Sequence, residues 1–141
     1  MKDIEIVIDD EVKDVGLADL MCSLIKDNCA QNDTKRNIFL SLNGEVLITA
    51  TDAEVTILLS FKNGKLHINN GSNQSPNLRI RATSDRIIGL SNIGLFMGYP
   101  NLLNRSGFEI LRALFKREIV IEGIMNNLIF GINLLRLISV N

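Results

Sequence analysis

His67 is the only histidine in this 141-residue chain, so any chemistry built on an imidazole has one place to sit. Its neighbours argue against such a use. Leu66 and Ile68 flank it, and period-two alternation turns His67 to the opposite, solvent face of a strand. No Ser-His-Asp, Cys-His or metal-ligand arrangement assembles around it. Cys22 and Cys29 lie seven apart on one helical face, too far along the axis for a disulfide and without His or Cys neighbours for a metal, so they read as small buried hydrophobes. Asp9-Asp10 pairs two carboxylates, yet acids at a strand end are ordinarily solvated. Arg79 and Arg81 point the same way; they suit an anionic head group or phosphate as well as a plain solvated strand face. Gly94, Gly98 and Gly107 have neither the spacing nor the strand-to-helix context of a phosphate loop. The residue set argues against an enzyme and implies no cofactor and no metal.

Composition narrows the class further. The chain has the length of one domain, and its hydrophobic fraction of 46% with no Trp and one Tyr predicts an aliphatic core. With 15 basic against 16 acidic residues the formal net charge is −1, and that balance attracts neither nucleic acid nor an anionic membrane surface. Acids at Asp3 and Glu5 stand where a secretory signal needs an apolar run, which predicts a cytoplasmic chain.

The elements that organise the chain lie in its last third. Ser106 and Glu109 form a capping box, and Phe108, Leu111, Ala113, Leu114 and Phe115 leave Arg112, Lys116 and Arg117 outside, an amphipathic helix with cations at its negative end. Glu118 to Glu122 is a short β-branched strand, stopped by Gly123. A closing helix over 124–140 places Ile124, Met125, Leu128, Ile132, Leu135 and Ile138 on a main apolar face. Phe130, Leu134 and Leu137 form a second stripe. One stripe docks a helix on a core, so the other meets further core, a subunit or an apolar ligand. Glu122, Asn126, Asn127, Asn133 and Arg136 interrupt every window long enough to span a bilayer.

Upstream, residues 4–8 alternate as a strand, and Leu17, Leu20, Met21, Leu24 and Ile25 repeat with helical period. Asp33-Thr34 offers a cap for a short helix holding Ile38, Phe39 and Leu42, with a strand over 38–42 as the alternative. Asn63-Gly64 is a type I′ turn pair that sets Phe61 opposite Leu66 and Leu59 opposite Ile68. A turn at Asp52-Ala53 sets Ala50, Ile48 and Val46 against Val55, Ile57 and Leu59, with Thr49 against Thr56 on the other face. Leu78, Ile80 and Ala82 make a fourth strand, and Ser84-Asp85 caps a helix with Ile87, Ile88 and Leu90. Ile93, Leu95, Phe96, Met97, Leu102 and Leu103 are too apolar for a solvated loop and are expected to fold over the core or over an opening into it.

This order resembles the sterol carrier protein-2 family of lipid-binding domains, of the stand-alone bacterial or archaeal type. The resemblance rests on Val55 to Phe61 with Lys62 to Leu66, on the strand entry Pro76 to Ile80, and on Ile110 to Gly123 followed by a Leu- and Ile-rich helix. It covers residues 14 to 140. It implies an α+β fold: a mostly antiparallel, five-stranded sheet covered on one side by helices, with an apolar tunnel between the layers. It implies as ligand-binding residues Ile57, Leu59, Phe61 and Ile121 on the sheet and Phe115, Leu128, Phe130, Leu134 and Leu137 on the helices. The whole of 1–141 is then one domain, with residues 1–10 as an extra N-terminal strand.

The expected function is non-enzymatic binding or carriage of a lipid: a fatty acid, fatty acyl-CoA, sterol-like molecule or phospholipid. The expected partner is this apolar small molecule, with no nucleic acid and no transmembrane segment, and a homodimer is left open. The alternative is a filled-core domain that binds a protein partner through its C-terminal helix. A small hydrolase or transferase acting on acyl chains is a third reading.

Overall fold

Asn63 and Gly64 reverse the chain with φ of 52° and 77°, the paired positive values of a type I′ turn, which those two residue types adopt at low cost. The turn joins β3 (Val55–Lys62) to β4 (Lys65–Asn69), with Leu59 opposite Ile68 and Phe61 opposite Leu66 as the alternation predicts. β2 (Gly44–Ala50) pairs with β3 in the predicted register, Ala50 on Val55, Ile48 on Ile57 and Val46 on Leu59. On the other face the Thr49 and Thr56 hydroxyls meet at 3.0 Å. In this computed structural model the described residues are 4–71, 75–91, 95–96, 99–100 and 105–139; at 95–96, 99–100, 106–107 and 110–111 the description is of the backbone.

The sheet holds the five expected strands and the extra N-terminal one, and two of its ladders are parallel. β1 (Glu5–Ile8) adds an edge strand parallel to β4, and β5 (Leu78–Ala82) lies parallel to β2. β8 (Ile119–Glu122) then pairs antiparallel with β5, giving six strands in the order β1-β4-β3-β2-β5-β8. Three of the five ladders are antiparallel and two parallel, so the sheet is mostly antiparallel as expected, with the five expected strands joined at the edge by the extra N-terminal strand β1. The edge is tied by side chains: His67 hydrogen-bonds Asp9, and Lys65 lies 3.9 Å from Glu5.

Helices supply the second layer. α1 (Gly16–Gln31) buries Ala18, Met21, Cys22, Ile25 and Cys29 at helical spacing, and both thiols are free. α2 (Asp33–Ser41) is a helix rather than the alternative strand, with Asn32 as its cap: the Asn32 side-chain oxygen accepts from the Lys35 N–H at 3.2 Å. α3 (Ser84–Ser91) follows β5. A two-stranded ribbon, β6 (Leu95–Phe96) with β7 (Tyr99–Pro100), occupies part of the stretch read as loop; Ile93, Met97, Leu102 and Leu103 lie outside the described residues. α4 (Arg105–Phe115) starts one residue before Ser106, so Ser106 sits within the helix rather than at its cap.

The C-terminal segment is two elements, not one. A 3-10 turn (Ile124–Asn126) breaks at Asn127 before α5 (Leu128–Ile138) begins. The break separates the orientation of α5 from that of the turn before it. Gly131, Leu134, Leu137 and Ile138 are its buried residues, so the stripe read as secondary docks on the core while Met125 and Leu128 are exposed. Among the described residues no helix is long and apolar enough to cross a membrane.

Candidate functional site

Between the helical layer and the sheet lies an apolar void of about 50 Å³. Leu20, Met21 and Leu24 of α1, Ile87, Ile88, Leu90 and Ser91 of α3 and Leu134 and Ile138 of α5 roof it over Ile48 of β2 and Ile80 of β5. Ser91 is the one polar residue among these, and its hydroxyl donates to the Ile88 carbonyl at 2.6 Å. With its proton so engaged, the wall offers a ligand aliphatic groups and one hydroxyl oxygen as an acceptor. A void of this size is far smaller than the roughly 300–1,000 Å³ of ordinary ligand pockets, so the described residues enclose a pocket and no through tunnel.

At its rim stand Leu20 and Ile88, which are 40% and 44% exposed. Both also line an open groove of about 450 Å³ formed with Asp14, Val15, Gly16 and Leu17 before and at the start of α1, with Ala50, Ala53 and Val55 of the first hairpin, and with Ser84. Leu20 and Ile88 thus belong to both the void and the groove.

The nine residues expected at a ligand separate into three groups. Leu134 lines the void. Ile57, Leu59, Phe61 and Leu137 are fully buried in the surrounding core, and Ile121 and Phe130 are half-buried against it. Phe115 and Leu128 turn outward and are 87% and 55% exposed. Phe130 packs its ring edge-on to Phe61 at 6.5 Å and lies over Gly44, where an added Cβ would stand 2.8 Å from the ring. Arg79 and Arg81 are exposed on the far face of the sheet, away from the void. The residues that the sequence reading did not place at a ligand are Leu20, Met21, Leu24, Ile48, Ile80, Ile87, Ile88, Leu90, Ser91 and Ile138. The helical period of α1 had marked Leu20, Met21 and Leu24 as apolar; which apolar groups lack a packing partner is set by the assembled layers.

Side-chain hydrogen bonds fix the walls. Asn28 of α1 donates to the Leu137 and Ser139 carbonyls at 2.9 and 3.0 Å, and the Lys35 ammonium donates to the Ser139 carbonyl. These donors satisfy carbonyls that the end of α5 leaves without helical partners, and the cation stands at the negative end of the helix dipole. On α3, the Asp52 carboxylate accepts from the Ser84 N–H and hydroxyl at 2.8 and 2.9 Å, and these bonds hold its carboxyl below the usual carboxylate range.

Burial gives this region a pH signature. It pushes the Cys29 thiol from 9.0 up to about 11, against the lowering influence of Arg36 and Lys35, and it lowers Lys35 from 10.5. A raised thiol contributes stability that is complete below pH 9.0 and lost as pH rises to about 11. At about 1.4 kcal/mol per unit the loss is on the order of 3 kcal/mol. The lowered Lys35 acts with opposite sign, adding stability as pH rises toward 10.5. Cys29→Ala is therefore expected to start less stable at neutral pH and to lose less on going alkaline than the parent. Urea midpoints followed through this range check it; parallel curves for the two proteins would remove the thiol from the account.

A mixed sheet with one helical layer and a small apolar void between them defines an α+β fold of the sterol carrier protein-2 type. Among solved structures, a ubiquinone synthesis protein described as UbiJ-SCP2 superposes with a TM-score of 0.61 at 12% identity, over 89% of this chain and 95% of that one. The sterol carrier protein domain 2 of Helicoverpa armigera superposes with a TM-score of 0.59 at 16% identity, over 87% of each. No protein-family model and no curated protein matches the chain by sequence. At these identities the likeness is one of fold.

Proposed function

We propose that the protein, acting as one domain over residues 1–141, binds an apolar molecule between its helices and its sheet and performs no chemistry on it. The observation that carries the reading is the void itself: a space lined almost wholly by aliphatic side chains, two of which, Leu20 and Ile88, are partly exposed and also line a groove. Enclosing a chain transfers its methylenes out of water at about 0.8 kcal/mol each, so affinity needs no polar chemistry. A chain longer than the present space is admitted by moving apart Leu20 of α1 and Ile88 of α3, which line both the void and the groove. The fatty acid, acyl-CoA, sterol-like and phospholipid classes all meet this demand. The fold shared with a protein of ubiquinone synthesis adds an apolar quinone to the classes to be offered.

Native mass spectrometry of the purified protein, followed by extraction and lipid identification, tests the reading. The expected result is a stoichiometric apolar adduct or uptake of one when offered. Leu134 supplies the control. Leu134→Phe fills the space and is expected to weaken uptake by about tenfold or more, whereas Leu134→Ala enlarges it, retains uptake and lowers stability by about 2–5 kcal/mol. Equal uptake by both variants would place the ligand elsewhere.

The second reading is a filled core that meets a protein or a second copy through its C-terminal segment. The observation that favours it is the exposure of Met125, Leu128 and Ile129 around the start of α5. It predicts a doubled mass in light scattering that Ile129→Glu abolishes, with no adduct in either protein.

A further inference from the structure

Helix α4 carries an outward face that the packing of the sheet and helices does not use. Ala113 is buried and Leu114 half-buried, while Phe108 and Phe115 are 63% and 87% exposed. Seven residues apart, the two rings share one side of the helix, with Arg112 between them and Lys116 beside the second. Exposed phenylalanines at helical spacing have a large desolvation incentive and nothing in the described chain to meet.

Charge selects what meets them. From Arg105 through Glu118 the segment holds four cations, Arg105, Arg112, Lys116 and Arg117, against the carboxylates Glu109 and Glu118, a local charge of +2 on a chain whose net charge is −1. Both carboxylates already have partners: Glu118 is 2.7 Å from Arg86 of α3, and Glu109 is 3.9 Å from Arg105. Among the described residues no carboxylate lies within ion-pairing distance of Arg112, Lys116 or Arg117. Arg112 and Lys116 also border an open cleft of about 300 Å³ between α4 and α3, which they share with Arg86, Ala113 and the already paired Glu109 and Glu118, so three cations stand there against two carboxylates.

We propose that this face of α4 docks the protein on an anionic bilayer surface. Phe108 and Phe115 enter the boundary between headgroups and acyl chains, and Arg112 and Lys116 meet lipid phosphates. An amphipathic helix with aromatic residues toward the lipid and cations beside them binds in this manner, by apolar burial together with attraction to anionic lipid. A second copy of the chain is disfavoured as occupant, because a self-complementary contact centred on the rings would bring Arg112 and Lys116 of both copies together with no free carboxylate to offset them. The inference does not depend on what the void under α1 and α3 contains.

The test is co-sedimentation of the full chain with vesicles of equimolar phosphatidylcholine and phosphatidylglycerol, beside vesicles of phosphatidylcholine alone. The expected result is binding to the anionic vesicles that weakens as salt is raised and falls by at least about tenfold in either Phe115→Ser or Arg112→Glu. Both side chains are exposed, so urea unfolding midpoints are expected to match the parent's, which separates lost docking from lost folding. Binding that is absent, or equal on neutral vesicles, overturns the proposal. So does a dimer that Phe115→Ser dissociates, which would assign the face to a second copy.

Discussion

Phe61→Ala is expected to lower the unfolding free energy by about 4–5 kcal/mol. Phe61 is 2% exposed on β3, and its ring is the middle member of a column of three. Phe39 of α2 meets it edge-on at 5.8 Å and Phe130 of α5 at 6.5 Å, so one side chain joins the sheet to two helices. Truncating a buried Phe costs about 3–5 kcal/mol from lost transfer and the cavity left behind. Each edge-to-face pair adds about 0.5–1.5 kcal/mol, which puts the total near the top of that range. A domain of this size holds about 5–15 kcal/mol in all, so the loss removes a large share. Phe61→Leu keeps most of the apolar volume and is expected to lose about 1–2 kcal/mol, chiefly the ring pairs. Urea denaturation of the three proteins measures both differences. A cost below about 1.5 kcal/mol for Phe61→Ala would mean that the ring borders compliant space rather than packed core, and would return Phe61 to the wall of a ligand site.

That column marks where the sequence was legible and where it was not. The two hairpins could be read because their information is local. Asn63-Gly64 sets one register, and the facing Thr49 and Thr56 with the flanking aliphatics set the other, each within a dozen residues. The parallel ladders could not be read in the same manner, since β1 beside β4 and β2 beside β5 are joined through long connections with no turn chemistry to encode the pairing. The closing helix failed for a different reason. Periodicity places Leu128 on one side of the helix and Leu134 and Leu137 on another, but which side meets the core is set by how α5 leaves the irregular Asn127, with φ −137° and ψ 40°, and here Leu134 and Leu137 turn in while Leu128 is exposed. The void was beyond reach for a related reason: every residue around it is an ordinary core residue by type, and a gap between them is a property of how three helices settle on a sheet. Net charge hid the α4 face, because a sum over the chain cannot register where the cations gather.

The irregular backbone that repositions the last helix also concentrates the second large effect. Gly123 has φ of 89° and ψ of −1°, a left-handed conformation that ends β8 and starts the 3-10 turn. A Cβ placed there would lie 2.3 Å from the Asn77 carbonyl oxygen, a backbone atom that has no rotamer with which to move away. That carbonyl is not free to shift. It accepts from the Asn127 amide at 3.0 Å, the same amide donates to the Gly123 carbonyl at 3.0 Å, and the Asn77 side chain bonds Asn127 at 3.1 Å and accepts the Glu45 N–H at 2.9 Å. The chain at Asn77 thereby holds together the start of β2, the entry to β5, the exit of β8 and the residue that precedes α5. Gly123→Ala is expected to cost about 3–5 kcal/mol, from left-handed strain of about 1–3 kcal/mol and a comparable cost of overpacking. Asn127→Ala, which removes the amide but adds no Cβ clash, is expected to cost about 1–3 kcal/mol. The two changes act on one cluster, so the double variant is expected to lose less than the sum, and a double-mutant cycle by denaturation reads that coupling. Full additivity would separate the turn from the asparagine cluster. The consequence for binding follows from geometry: α5 supplies Leu134 and Ile138 to the void, so a displaced Gly123 turn moves the roof and not the sheet beneath it. Folded Gly123→Ala protein, obtained at low temperature, is accordingly expected to differ from the parent in ligand uptake while the β2–β3–β4 amides keep their relative order of hydrogen-exchange protection.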